Sequence, residues 1–126
     1  MKLFLDDIRD APDGTKVSDF WDTWKVIRTY ETMIDHLTRG KNIEVISLDH
    51  DLGAEQTGYD VAKWIEEKVA TDCNYFPPMI YVHSANPVGR RNILACVNSI
   101  GGILEARYDK FLSAWLYQGA NLNSEA

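Results

Sequence analysis

Three short apolar runs in this chain each break off into polar residues able to do chemistry: Leu3 to Asp7 (LFLDD), Val45 to Gly53 (VISLDHDLG) and Ile80 to Asn86 (IYVHSAN). Runs of this length and composition read as strands buried in a parallel sheet. Open parallel sheets bind ligands outside the carboxyl ends of their strands. Strands ending side by side would therefore deliver Asp6, Asp7, Asp49, His50, Asp51, His83, Ser84 and Asn86 into one crevice. That set is a metal and phosphate site in outline.

The intervening sequence supplies the rest of a layered fold. Lys2 to Leu5 and Ile43 to Leu48 read as strands, and Trp24 to Arg28 as a further one. Thr29 fits an N-cap for a helix of about ten residues, with an apolar stripe of Met33, Ile34 and Leu37 ended by Gly40. Tyr59 to Val69 is the clearest helix: Val61, Ala62, Ile65 and Val69 share a face, while Lys63, Glu66, Glu67 and Lys68 face water. Pro77 and Pro78 introduce a strand from Met79 to His83. Asn86 then caps a helix that opens at Pro87 and is expected to stop at Ser99, before Gly101 and Gly102. Leu104 and Phe111 to Tyr117 are apolar enough to dock a last strand or helix. Residues 6–18 carry Asp, Pro and Gly without a helical period and read as a loop. Strands alternating with helices define an α/β sheet with right-handed crossovers. A single domain is expected over 1–118, with 119–126 as a frayed tail.

Composition removes several functions. With 126 residues the chain can bury roughly two-thirds of its unfolded surface without a metal staple. A formal charge of -6 argues against an extended DNA-binding surface, which needs clustered Lys and Arg, but leaves a single nucleotide or a strand end open as ligand. Cys73 and Cys96 lack CxxC spacing and read as indifferent thiols. No membrane span and no signal peptide are evident, so a cytoplasmic location is expected.

The candidate residues divide by chemistry. Mg²⁺ is usually held by one or two carboxylates, waters and substrate phosphate oxygens, so Asp6 or Asp7 with Asp49 suffices for Mg²⁺ (or Mn²⁺). Clustered carboxylates repel one another, and a cation relieves this. Asp51 shares a side with Asp49 by strand alternation and completes the metal set, whereas His50 points away. Ser84 and Asn86 can donate to phosphate oxygens, joined by amides of the following helix and by Arg90 or Arg91. His50 and His83, with Asp49, are the catalytic candidates, because imidazole moves protons near neutrality. Each has a plainer reading: turn or cap for the acids, N-cap and solvated basic pair for Asn86 and Arg90, packing for the histidines. Trp21 and Trp24 border the long loop, where they can stack a base or pack the core, while Trp64, Trp115 and Tyr117 read as packing and His36 as surface or packing.

Asp6-Asp7 after the first strand, Asp49 after the third, Gly58 opening a helix, Ser84-Ala85 after the fourth and Lys110-Phe111 near the end follow the order of a response-regulator receiver domain. The fold this implies is receiver-like (flavodoxin-like), an open, mainly parallel sheet flanked by helices, with a loop in place of the first helix. Leu52-Gly53 stands where receivers carry Met-Pro, and no clear strand precedes Lys110; both count against ordinary phosphotransfer signalling. The wording LFLDDIRDAP, RTYE, SLDHDLG, TGYDVAKWIEE and VHSANPVGRRNI resembles the divergent branch called the cyclic-phosphate-processing receiver domain. That resemblance implies a metal-dependent phosphoesterase acting on a cyclic phosphate of a nucleotide or RNA end. Two other readings stay open: a phospho-accepting signalling receiver, and a non-catalytic module binding a nucleotide or partner protein through the same crevice.

Overall fold

A computed structural model describes residues 1–9, 24–40 and 42–125, with side chains described as far as residue 108. In chain order the elements are β1 (Lys2–Leu5), β2 (Trp24–Ile27), α1 (Tyr30–Arg39), β3 (Val45–Leu48), α2 (Gly58–Thr71), β4 (Met79–Val82) and α3 (Pro87–Glu125). The strands form one parallel sheet in the order β2-β1-β3-β4. This is a receiver-like α/β fold. The loop expected over 6–18 in place of a first helix lies outside the described residues from residue 10 onward, as does Trp21; Lys110, Trp115 and Tyr117 lie outside the described side chains.

Strand alternation sorts the sheet into two faces. Leu3, Leu5, Ile27, Ile46 and Leu48 pack against Met33 and Leu37 of α1, Val61, Ala62, Ile65 and Val69 of α2, and Ile93, Cys96 and Ile100 of α3. Phe4, Ser47 and Tyr81 stand in register on the opposite face, the same face from which Asp6, Asp49 and His83 continue. Caps set the helix starts. The Thr29 hydroxyl accepts from the Thr32 amide at 3.2 Å, and Asn86 Oδ1 accepts from Val88 and Gly89, both at 3.1 Å.

The third helix departs from expectation, because Gly101 and Gly102 do not stop it. Each glycine costs about 1 kcal/mol in a helix interior relative to alanine. Tertiary contacts on both sides of the pair outweigh that cost. Ile100 is in the core and Ile103 and Leu104 pack against it, while Arg107 donates to the carbonyls of Val69, Asp72 and Tyr75 at the end of α2. The apolar stretch expected to form a separate last element is the continuation of α3.

Gly58 fixes how α2 meets the site. Its amide donates to the His50 carbonyl at 2.9 Å, and a Cβ added there would lie 1.8 Å from the Asp49 carbonyl oxygen. Backbone cannot rotate away as a side chain can. Gly58→Ala is therefore expected to destabilise the fold by about 1–3 kcal/mol, the usual range for overpacking, and to displace Asp49. Chemical denaturation reads the first effect; loss of any cation-induced stabilisation reads the second.

Candidate active site at the strand ends

The register of the sheet assembles the site. Leu5 pairs with Ile27 and Leu48, and Leu48 with Val82, so the four strands end level with one another. The ladder runs one residue further: the amides of Asp6, Asp49 and His83 donate to the carbonyls of Ile27, Leu5 and Leu48, each at 3.0 Å. Residues in register on neighbouring strands share a face, so these three side chains converge. One ligand atom from each of Asp6, Asp49 and His83 lies within 4.8 Å of the others. The location is the topological switch point, where the chain turns one way from β1 to β2 and the other from β3 to β4.

The two carboxylates are buried, Asp6 at 1% exposure and Asp49 at 7%. Asp6 Oδ1 accepts the amides of Ile8 at 2.9 Å and Arg9 at 2.7 Å, so it makes the turn while Oδ2 faces the cluster. Oδ2 lies 3.2 Å from His83 Nε2 and 3.7 Å from Arg9 Nε. His83 Nδ1 lies 2.7 Å from Ser47 Oγ, and its ring stacks on Phe4 with centroids 4.1 Å apart and planes 8° from parallel. Arg28 donates to the carbonyls of Asp6 and Arg9, holding the loop that carries them.

Their electrostatics divide the three. Burial pushes the Asp6 carboxyl up, but the Arg9 and Ile8 amides and His83 more than offset this, holding it below its ordinary value. Burial and then the Asp6 charge raise the Asp49 carboxyl above its ordinary value, against weaker opposition from His83, Ser84 and the His50 amide. Burial lowers His83, only partly countered by Asp6 and Asp49.

These directions give opposite signs in acid. Asp6, depressed, contributes stability that is fully present above its unfolded value near 3.9 and is lost as pH falls below it; Asp49, raised, gains stability as it is protonated over the range just above that value. Asp6→Asn should flatten the acid loss of stability and Asp49→Asn should steepen it. Denaturation free energies measured between pH 3 and 6 check both.

The rim holds most of the remaining candidates. His50 Nδ1 lies 3.0 Å from Asp51 Oδ1, and Asn86 Nδ2 donates to Asp51 Oδ2 at 3.4 Å. The hydrogen bond from His50, and secondarily that from Asn86, lowers the Asp51 pKa despite slight burial. The His50 ring lies against Gly89, where a Cβ would come within 2.2 Å of it. Ser84 hydrogen-bonds Asp49 and accepts the Asn86 amide at 3.1 Å. Asn86 spends its carbonyl on the start of α3, and Arg90 reaches back to the Val82 carbonyl at 3.3 Å. Asp7 and Asp51 line a crevice of about 250 Å³ with Asp6, Ile8, Arg9, Asp49 and Ala85. They stand beside the buried cluster rather than in it. A larger groove of about 670 Å³ lies on the helical side, between Tyr30, Asp60, Trp64 and Ser99, away from these groups.

Of the carboxylates, the structure brings Asp6 and Asp49 together, and it adds His83 to them. Three participants were not singled out from sequence: Arg9, Ser47 and Phe4. Ser47 carried a legible signal, since it precedes Asp49 by two residues on the same strand and so shares its face. Arg9 lay in a loop without periodicity. Trp24 packs edge-on against Phe4 at 6.0 Å, and His36 is half-buried with Nδ1 on the Thr32 carbonyl. Cys73 and Cys96 are both free thiols. No helix among the described residues is long and apolar enough to cross a membrane.

A parallel α/β sheet with an acidic pocket at its switch point defines a receiver-like domain. The sequence model of the cyclic-phosphate processing receiver domain matches residues 1–99, and the chain belongs to that family. No curated protein and no solved structure matches it.

Proposed function

We propose that this domain is a metal-dependent phosphoesterase that opens a cyclic phosphate on a nucleotide or RNA end. The observation that carries this reading is the convergence of Asp6, Asp49 and His83 within 4.8 Å at the strand ends. Two buried carboxylates that destabilise each other's charged state suit a hard divalent cation such as Mg²⁺ or Mn²⁺, which commonly binds through one or two carboxylates and the substrate's own phosphate oxygens. Bound there, the cation would supply charge stabilisation to the phosphoryl group.

The chain's own residues account for the remaining tasks. Opening a cyclic phosphodiester with water forms one P–O bond and breaks another, and the ribose oxygen that leaves must receive a proton. His83, beside both carboxylates, is the group to move it. Arg9, with Nε 3.7 Å from Asp6 and Nη1 3.5 Å from the His83 carbonyl, stands at the crevice to meet phosphate oxygens, with Ser84 and Arg90 next to it. His50, Asp51 and Asn86 form a linked rim that shapes the entrance. A crevice of about 250 Å³ suits a phosphate and its adjoining sugar and leaves the base outside, in keeping with a strand end as substrate.

The reading is tested by incubating the protein with 2′,3′-cyclic nucleotides, cyclic-phosphate-ended RNA and 3′,5′-cyclic nucleotides, with Mg²⁺, with Mn²⁺ and with chelator. Turnover of a 2′,3′-cyclic phosphate that requires the cation is expected. Binding without turnover in every combination would leave a non-catalytic module.

A further inference from the structure

We infer that two copies of this chain pair through β4, antiparallel across a two-fold axis centred on Ile80, so that one sheet runs through both. β4 is an edge of the sheet, with no strand beyond it among the described residues. Edge strands of proteins that stay single carry charges, prolines or bulges that refuse a further strand. The opposite edge has such a residue, Lys25 in β2. β4 has none: Asn74 to Val82 bear no charged side chain, and Pro77 and Pro78 precede the strand instead of interrupting it. Its side chains are apolar or aromatic yet open to solvent, with Met79 at 59% and Tyr81 at 53% exposure on one face and Ile80 and Val82 half-buried on the other.

The main chain selects the occupant. The amides of Met79 and His83 donate inward, to the carbonyls of Glu44 and Leu48. The alternate residues, Pro78, Ile80 and Val82, therefore turn their main-chain groups outward. An antiparallel copy with Ile80 opposite the partner's Ile80 lets these two residues exchange both hydrogen bonds, and brings Val82 opposite the partner's Pro78. The Val82 amide then donates to the carbonyl of the partner's Pro78. Proline has no N–H to return, and the Val82 carbonyl that would need one already accepts from Arg90 at 3.3 Å. An axis at Tyr81 would instead set the Ile80 amide against the partner's Val82 carbonyl, the one that Arg90 holds. The Ile80 register also sets Met79 against the partner's Tyr81 on the exposed face, an apolar–aromatic cross-strand pair. A contact this narrow lies at the small end of specific interfaces, under about 1,200 Å², so the dimer is expected to dissociate on dilution. The inference is independent of the phosphoesterase reading.

The test is sedimentation velocity of the full chain from low micromolar to near-millimolar concentration, with amide hydrogen exchange followed by NMR at both ends of that range. Expected are a monomer on dilution, a dimer on concentration, and Ile80 and Val82 amides protected only in the dimer. Tyr81→Lys, at an exposed position, should leave a folded monomer throughout. Met79→Glu combined with Tyr81→Lys should restore the dimer, because this register sets those two positions opposite each other with unlike charges. A monomer at every concentration overturns the inference, as does a dimer that persists in Tyr81→Lys, that the double substitution fails to restore, or whose Ile80 and Val82 amides exchange freely. Protection of those amides at every dilution would mean that another segment of the same chain covers the edge, and overturns it too.

Discussion

Replacing Asp49 by Asn is expected to raise the melting temperature of the cation-free protein at neutral pH while abolishing most of its response to Mg²⁺ or Mn²⁺. Burial and the Asp6 charge both disfavour ionised Asp49, so removing its charge relieves a repulsion that the fold tolerates. Asn keeps an acceptor for Ser84 and for the His50 amide, which limits the loss. A relief on the order of 1 kcal/mol corresponds to roughly 3–5 °C for a domain of this size. A divalent cation bound beside Asp6 and Asp49 in the wild type would relieve the same repulsion, so its thermal shift should exceed that of the mutant. Thermal melts of both proteins with and without cation check this, and equal cation stabilisation of Asp49→Asn would place the cation elsewhere.

His83→Ala should have the largest effect on turnover. Loss of a positioned proton-transfer group typically lowers rates about 10²- to 10⁴-fold, and the effect should fall on kcat with KM largely kept. The substitution also strands the buried Ser47 hydroxyl and uncovers Phe4, at a cost of about 1–3 kcal/mol. Melting curves recorded beside the kinetics separate the two effects. Full activity would return His83 to a packing role and leave His50 as the remaining histidine candidate.

The strands and their polar ends were legible in the sequence because apolar runs broken by acids and histidines are local features. The cap at Thr29, the cap at Asn86 and the stripe of α2 follow from short-range rules, and the structure places each where the sequence points. The course of α3 past Gly101 and Gly102 was not legible. It depends on Arg107 reaching the end of α2 and on Ile100, Ile103 and Leu104 meeting the core, contacts that no window of sequence contains. The site divides in the same way. Alternation and strand order predict that Asp6, Asp49 and His83 share a crevice, and the register makes them level. That His83 stacks on Phe4, with Ser47 at one ring nitrogen and Asp6 at the other, requires knowing which strands are neighbours. Asn86 illustrates the converse: its capping role, visible in sequence, uses the carbonyl and leaves its amide to Asp51.

The central claim, that Asp6, Asp49 and His83 perform hydrolysis at one crevice, is tested most directly by following a single reaction with both product and protein analysed by mass. Cyclic-phosphate-ended RNA and Mg²⁺ are incubated with the wild type, Asp49→Asn and His83→Ala, with acetyl phosphate supplied in a parallel arm. The expected result is a linear phosphomonoester formed only by the wild type, and an unmodified Asp49 in both arms. Unreacted RNA together with a stable phosphate on Asp49 from acetyl phosphate would contradict the account and make the domain a signalling receiver.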